Sequence, residues 1–210
     1  MKNPKVKNII FDLGNVILNI DIPRTIGIFS EWTGLRPEEV AKLFAENDLF
    51  KNYETGHWDD QTFLNQVRHI ANGPNWLDEH IIDAWNTLLL DIPADRIELL
   101  QELNKNYRLF LLSNTSPIHI RKVNQILFET AGISDLSELF EKVYYSYELG
   151  CMKPDAIIYE KVLEDAGILP EESLFLDDNA DNIAGAVAVG ITSIHVAHPL
   201  TIRDYLTDYV

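Results

Sequence analysis

From Pro93 to the end of the chain, short apolar segments alternate with helical patterns, and this alternation restricts the fold more than any other feature. The apolar segments favour β-strands, and the stretches between them repeat apolar residues at helical spacing. Strands joined through helices run in the same direction, so the pattern predicts a parallel sheet with flanking helices. The predicted strands lie at residues 9–11, 108–112, 143–146, 174–176 and 191–196, and the predicted helices at 94–104, 117–130, 153–167, 180–189 and 200–209.

Residues 21–90 differ from the rest of the chain because no convincing strand interrupts them. Prolines 23 and 37 can open helices, and apolar residues recur at helical spacing over 59–70 and 77–90. All four tryptophans lie in this segment, and we interpret them as packing residues between helices. We therefore expect a doubly wound α/β core with an all-helical insertion after the first strand. The core comprises residues 1–20 and 91–210, and the insertion comprises residues 21–90.

The charge of the chain excludes two classes of function. Among its 210 residues, 33 acidic side chains oppose 17 basic ones, and the formal net charge is −16. Nucleic acids and anionic membranes are bound by basic patches, so we expect neither as a partner. No apolar run approaches the ~18 residues of a membrane span. The single cysteine, Cys151, allows no intrachain disulfide, which fits the reducing cytoplasm where we expect this chain.

Polar side chains stand where the predicted strands end and where one predicted helix begins. They are Asp12, Ser113, Asn114, Asp177 and Asp178 after strands, and Lys153 before a helix. The carboxyl ends of parallel strands share one edge of a sheet, so we expect these groups to converge. Three carboxylates at one edge suit a divalent cation such as Mg²⁺, and a lysine with a hydroxyl suits phosphate oxygens. The pattern indicates phosphoryl transfer to or from a small phosphorylated metabolite.

Four short motifs resemble, in order and spacing, those of the haloacid dehalogenase (HAD) superfamily. They are DLGNV at residues 12–16, LSN at 112–114, KP at 153–154 and LDDN at 176–179. The helical insertion resembles the small cap of that superfamily. Among the members of the superfamily, the chain resembles bacterial sugar-phosphate phosphatases of the α-D-glucose-1-phosphate phosphatase type. The resemblance covers nearly the whole chain and implies a HAD-like hydrolase with a Rossmann-like core and a helical cap.

The resemblance also implies roles for the residues that contact the substrate. Asp12 would attack phosphorus and form an aspartyl-phosphate intermediate. Ser113 would bind phosphate through its hydroxyl, and Asn114 through its backbone or side chain. Lys153 would offset negative charge on the nucleophile and on the phosphate. The activity implied is hydrolysis of a small phosphomonoester, such as a sugar phosphate.

A Mg²⁺ site is implied by the same resemblance. Asp12 and Asp178 would bind the ion directly, with the backbone carbonyl of Gly14 as a further ligand. Asp177 would act either as another ligand or as a hydrogen-bonding partner of the ligands.

The sequence departs from the superfamily pattern at Gly14. Most phosphatases of the superfamily have a second aspartate there, which protonates the leaving group and then activates water. General acid–base catalysis contributes roughly 10²–10⁴-fold, so its absence matters. An acid from the cap, such as Glu54 or His57, a bound water or a good leaving group can compensate.

Two alternative functions follow from the missing aspartate. Metal-independent haloacid dehalogenases of the superfamily also lack it, but they generally lack a carboxylate pair such as Asp177 and Asp178. A non-catalytic binding or regulatory protein with the same fold is favoured only by Gly14. A site that has lost its activity would be expected to lose other motif residues too, and Asp12, Ser113, Lys153 and the pair of aspartates at 177 and 178 are all present. We therefore favour the phosphatase.

Overall fold

Strand β1 (Asn8–Phe11) lies at the centre of a five-stranded sheet in the computed structural model, which describes residues 5–210. All its side chains are buried, as expected for an apolar strand covered on both faces. The sheet order is β3-β2-β1-β4-β5, and every pairing is parallel. The other strands are β2 (Arg108–Ser113), β3 (Lys142–Tyr145), β4 (Ser173–Asp177) and β5 (Thr192–His195). The predicted α/β class is confirmed.

Helices cover both faces of the sheet. Before β2 the chain forms α1 (Ile22–Thr33), α2 (Pro37–Glu46), α3 (Leu49–Glu54), α4 (Asp60–Ile70), α5 (Asp78–Asn86) and α6 (Ala94–Leu103). The later helices are α7 (Pro117–Ala131), α8 (Ser146–Leu149), α9 (Ala156–Ala166), α10 (Ala180–Ala188) and α11 (Ile202–Tyr205). Alternate residues of β1 enter different apolar clusters, because successive side chains point to opposite faces. Ile9 and Phe11 belong to one cluster and Ile10 to the other.

Helices α1 to α5 pack around an apolar cluster of their own. Its largest members are aromatic, and Phe29, Phe63 and Trp85 are fully buried. Ile118 of α7 belongs to the same cluster, so the insertion rests on the start of that helix. These contacts support the division expected from the sequence, and we propose residues 21–90 as the cap and the remainder as the core. Residues 1–4 of that core lie outside the described residues.

The sheet places the site by its strand order. β1 pairs with β2 on one side and with β4 on the other, with Phe11 level with Leu111 and Leu176. The strand order therefore reverses between β1 and β4, and the residues that follow these strands lie next to one another. Ligands of open α/β sheets bind outside the carboxyl ends at such a reversal.

Several predicted element limits were wrong. Helix α9 begins at Ala156, because residues 152–155 form a turn in which the Asp155 N–H donates to the Met152 carbonyl. Helix α5 ends at Asn86, and Leu89 beyond it pairs instead with Ile20 as an isolated bridge. The last helix covers only Ile202–Tyr205.

The short helix α3 was not predicted, and its last residue is Glu54. The tryptophans of the cap also differ from the expectation of a uniform packing role. Trp85 is fully buried, whereas Trp32 is 38% exposed and contacts Trp76 edge to face near the surface. Within residues 5–210, no helix combines the length and the apolar character that a membrane crossing requires.

Candidate active site

Asp12 follows β1, and Asp177 ends the neighbouring strand β4. Lys153 reaches both carboxylates, because its Nζ lies 2.6 Å from Oδ1 of Asp12 and 2.7 Å from Oδ2 of Asp177. The ammonium also donates to the carbonyl of Leu112 at 3.0 Å. All three charged side chains are buried. The structure thus brings together three predicted site residues in one buried ionic cluster, which we call the Asp12–Lys153–Asp177 cluster.

Burial changes the pKa values of the charged groups in this cluster. Removal from water raises the pKa of the Asp12 carboxyl above its ordinary value, while the Lys153 ammonium opposes that shift. Burial by itself lowers the pKa of Lys153, but the two neighbouring carboxylates outweigh it and the pKa is raised. Lys153 is therefore held as a cation, as expected for an ammonium between two carboxylates.

A third carboxylate, Asp178, completes a set of oxygens that suits a divalent cation. One oxygen from each of Asp12, Asp177 and Asp178 lies within 4.8 Å of the others. Three carboxylates opposite the single ammonium of Lys153 leave two negative charges uncompensated. Hard oxygen ligands and this charge fit Mg²⁺.

The carboxylates differ in the hydrogen bonds that they already accept. Asp177 accepts at both oxygens from the Asn182 amide, at Oδ1 from the Asn179 N–H and at Oδ2 from the lysine ammonium. Asp178 accepts at Oδ2 from the Asn15 amide at 2.9 Å, and Oδ1 receives no side-chain donor from the described residues. Free lone pairs are therefore more available on Asp178 than on Asp177.

Ser113 and Asn114 lie at the end of β2, beside Asp12. The Asn114 side chain donates to the Lys153 carbonyl and accepts from the Lys153 N–H, both at 2.9 Å. This pair of hydrogen bonds fixes the backbone that carries Lys153. The Asn114 amide is thus engaged in positioning Lys153. A phosphate contact of Asn114 therefore stays a prediction for its backbone N–H, next to the Ser113 hydroxyl.

A cavity of about 870 Å³ lies at these strand ends, between the core and the proposed cap. Its volume falls within the range of roughly 300–1,000 Å³ that is typical of small-ligand sites. The predicted site residues that line it are Asp12, Gly14, Ser113, Asn114, Lys153 and Asp178. The proposed cap contributes Ile22, Phe50, Glu54, Leu88 and Leu89. The structure therefore brings all the predicted site residues to this cavity except Asp177, which lies beneath it.

Asn182 is a site residue that the sequence did not predict. Its amide donates to both oxygens of Asp177, whereas Asp181 is exposed. The five-residue spacing of Asn182 from Asp177 could have indicated this contact, because a residue in the first turn of α10 lies close to the end of β4.

Two histidines, His119 and His195, also line the cavity. His119 stacks on Trp85, with ring centroids 5.5 Å apart, and its Nδ1 is 3.0 Å from Oδ1 of Asn86. Burial lowers the pKa of His119 to about 3, so its ring is neutral at pH 7. His195 Nε2 lies 2.8 Å from the Asp178 carbonyl oxygen.

The loop after α3 touches the core at α8. Gly56 in this loop has φ +71°, and a Cβ there would overlap the backbone oxygen of Tyr147 in α8. Glycine allows both the left-handed backbone and the close approach. This contact joins the loop directly after Glu54, a residue of the cavity lining, to the core.

We expect Gly56→Ala to destabilise the protein more than Gly34→Ala. Gly34 ends α1 with φ +72°, but open space surrounds its Cβ position, so its substitution costs only the left-handed strain of ~1–2 kcal/mol. Gly56→Ala adds the overlap with Tyr147 and lifts the loop away from the core, so KM should rise as well. Thermal unfolding and steady-state kinetics of the two variants measure this. Equal losses in both would contradict the contact with Tyr147.

The fold and the site define a class of Rossmann-like α/β protein with a buried carboxylate beside a lysine at the carboxyl edge of its sheet. A model of the haloacid dehalogenase-like hydrolases matches residues 6–190, which is most of the chain. The chain therefore belongs to this family of enzymes, as the four sequence motifs predicted.

Three known proteins illustrate the relationship. D-ribitol-5-phosphate phosphatase from Bacteroides thetaiotaomicron is 27% identical over 202 residues, covering 96% of this chain and 97% of that protein. A HAD family enzyme from Bacteroides thetaiotaomicron, solved with magnesium and inorganic phosphate, is 33% identical, with a TM-score of 0.84 and coverage of 92% and 96%. L-2-haloacid dehalogenase from Xanthobacter autotrophicus is 20% identical, with a TM-score of 0.59 and coverage of 91% and 77%, and shares the fold.

Proposed function

We propose that this enzyme is a Mg²⁺-dependent phosphatase that hydrolyses a small phosphomonoester through an aspartyl-phosphate on Asp12. The observation that carries the proposal is the Asp12–Lys153–Asp177 cluster with Asp178 beside it, at the floor of a cavity of about 870 Å³. A carboxylate nucleophile needs a cation to hold it in place and donors to receive the transferring group. The described residues at this sheet edge offer both.

The chain's own residues perform the positioning. Lys153 holds Oδ1 of Asp12 and so fixes the direction of its other oxygen, which we propose as the nucleophile. The Ser113 hydroxyl and the Asn114 backbone N–H would bind phosphate oxygens. Asp177, which accepts four hydrogen bonds from three donor groups, would keep Lys153 in place. In-line attack depends on such preorganisation more than on any single contact.

For the metal, we propose Asp12, Asp178 and the backbone carbonyl of Gly14 as direct ligands. Asp177 would support them as a hydrogen-bonding partner, because its oxygens are already engaged. Bound Mg²⁺ would neutralise charge on the phosphate and on the carboxylates. Asn15 would orient Asp178 through its hydrogen bond at 2.9 Å.

The substrate class we propose is the phosphate ester of a sugar or sugar alcohol. The relative at 27% identity and nearly full coverage acts on D-ribitol 5-phosphate. Apolar cap residues and polar core residues share the cavity, which suits a molecule with a phosphate at one end and a carbon chain at the other. A metal-independent dehalogenase would gain nothing from a site that leaves two negative charges uncompensated.

Phosphate release from a panel of sugar and polyol phosphates tests the proposal. We expect turnover in the presence of Mg²⁺ and loss of nearly all of it when EDTA removes the ion, because the carboxylates then repel the phosphate. Restoring Mg²⁺ should restore the rate. Halide release from 2-chloropropionate without metal, in the absence of phosphate release, would instead identify a dehalogenase.

A further inference from the structure

Gly14 leaves the leaving-group side of Asp12 without an acid. A Cβ at this position would lie 3.0 Å from Cδ1 of Ile20, so an aliphatic side chain occupies the adjacent space. Ile20 also lines the cavity. Since glycine carries no side chain, the position two residues after Asp12 supplies no titratable group to the leaving group.

Glu54 reaches the same cavity from the proposed cap. It ends α3, in the proposed cap, and it is the single titratable side chain that the cap contributes to the cavity lining among the described residues. Ile22, Phe50 and Leu88 are apolar cap residues in the same wall. Glu54 and the proposed nucleophile Asp12 therefore line the same cavity.

The other titratable side chains of the cavity are already engaged within the described part of the chain. Asp12 is bonded to Lys153, Asp178 to Asn15, His119 to Asn86, and His195 to the Asp178 carbonyl. Among the residues the structure describes, the Glu54 carboxyl has no hydrogen bond or ion pair, although it stands in a cavity wall. A half-buried carboxyl without a partner is a costly arrangement that a bound ligand would relieve.

Burial alone raises the pKa of Glu54 to about 7. A carboxyl with a pKa near neutrality is present in both protonation states at physiological pH, which suits a group that must first donate a proton and then accept one. Burial lowers the pKa of His119 to about 3, so that residue lacks the proton to donate.

We propose that Glu54 is the general acid and general base of this enzyme and replaces, from the cap, the carboxylate that Gly14 cannot supply. The inference rests on the proposed phosphatase function.

The chemistry proceeds in two balanced steps. In the first, an oxygen of Asp12 bonds to phosphorus, the bond between phosphorus and the substrate oxygen breaks, and the proton of Glu54 moves to that oxygen to give the alcohol. In the second, Glu54 takes a proton from water as the water oxygen bonds to phosphorus. The bond between phosphorus and Asp12 breaks, phosphate leaves, and both carboxyl groups return to their initial states.

Glu54→Gln separates this role from a structural one through its dependence on the leaving group. An alkyl phosphate such as ribitol 5-phosphate needs protonation of its leaving oxygen, whereas p-nitrophenyl phosphate does not. We expect single-turnover phosphorylation by the alkyl ester to fall roughly 10²–10⁴-fold in the variant, and that by the nitrophenyl ester to change little. The second step still lacks its base, so nitrophenol should appear as a burst followed by slow turnover.

Two further variants sharpen the experiment. Glu46→Gln changes an exposed glutamate at the end of α2, whose partner is Lys42, and should retain wild-type kinetics with both esters. Gly14→Asp added to Glu54→Gln should restore part of the alkyl-ester rate, because only the flexible end of Ile20 must move aside. The melting temperature of Glu54→Gln should match or exceed that of the wild type, since the change removes an unpaired, half-buried carboxyl.

The outcomes distinguish this inference from the function on which it rests. A wild-type enzyme that releases phosphate from neither ester would overturn the phosphatase function itself. An active wild type whose Glu54→Gln variant loses both esters equally, or changes only KM, would overturn the catalytic role of Glu54. Unchanged alkyl-ester turnover in the variant would assign proton transfer to water instead.

Discussion

Asp12→Asn abolishes phosphate release, with an expected loss of roughly 10⁴–10⁶-fold, the size of effect seen when a covalent nucleophile is removed. The amide oxygen is a poor nucleophile and carries no charge for the metal. Lys153 keeps Asp177 as its partner at 2.7 Å, so the remaining ion pair is still compensated. The variant should therefore fold, and its melting temperature should equal or exceed that of the wild type, because one of two like charges near Lys153 is gone.

Two measurements check this result. Phosphate release gives the activity, and beryllofluoride with Mg²⁺, which mimics an aspartyl-phosphate, should raise the melting temperature of the wild type and not of Asp12→Asn. Asp181→Asn is the matched control, since Asp181 is exposed near the same strand ends and should retain both activity and the beryllofluoride response. Turnover that survives in Asp12→Asn would remove Asp12 from its proposed role.

The sheet and its site edge were predictable because they depend on local composition. Ile9, Ile10 and Phe11 form an apolar run that a charged residue ends, and a run of that kind becomes a central strand whose end lies at the ligand-binding edge. The same reasoning placed Asp177 and Lys153 near Asp12, and the structure has them in contact.

The division of labour between neighbouring polar residues was not predictable. Asp177 and Asp178 are adjacent, but Asp177 is the last residue of β4 and Asp178 belongs to the loop after it, and the sequence does not show exactly where the strand ends. Asp177 is fully buried under Asn182, and Asp178 faces the cavity. The Asn114 side chain donates to the carbonyl of Lys153, 39 residues later in the chain. This contact forms only once β2 and β3 have paired.

The position of Glu54 in the cavity wall was also not predictable from the sequence. Its helix, Leu49–Glu54, is only six residues long, too short for periodicity to reveal. The position of Glu54 depends on two tertiary contacts. Gly56, in the loop that follows, packs against Tyr147, and the cap packs against Ile118. These are contacts between segments far apart in the sequence, so no local pattern contains them.

Lys153→Met should destabilise the protein more than most single substitutions. The side chain of Lys153 is 1% exposed, and its removal leaves the carboxylates of Asp12 and Asp177 buried together without a cation. Breaking a buried ion pair by removing one partner costs about 3–5 kcal/mol. Each kcal/mol lowers the melting temperature of a chain of this size by roughly 2–4 °C. Activity should be lost as well, because Asp12 is no longer held.

The double variant Lys153→Met, Asp177→Asn tests the cause. It removes one of the two uncompensated charges, so it should recover a large part of the lost stability while remaining inactive. The coupling in this cycle measures the interaction between Lys153 and Asp177. Mg²⁺ should raise the melting temperature of Lys153→Met more than that of the wild type, since the ion then supplies the missing positive charge. If Lys153→Met unfolds at the wild-type temperature, the carboxylates are not a repelling pair and the charge balance proposed for the site is wrong.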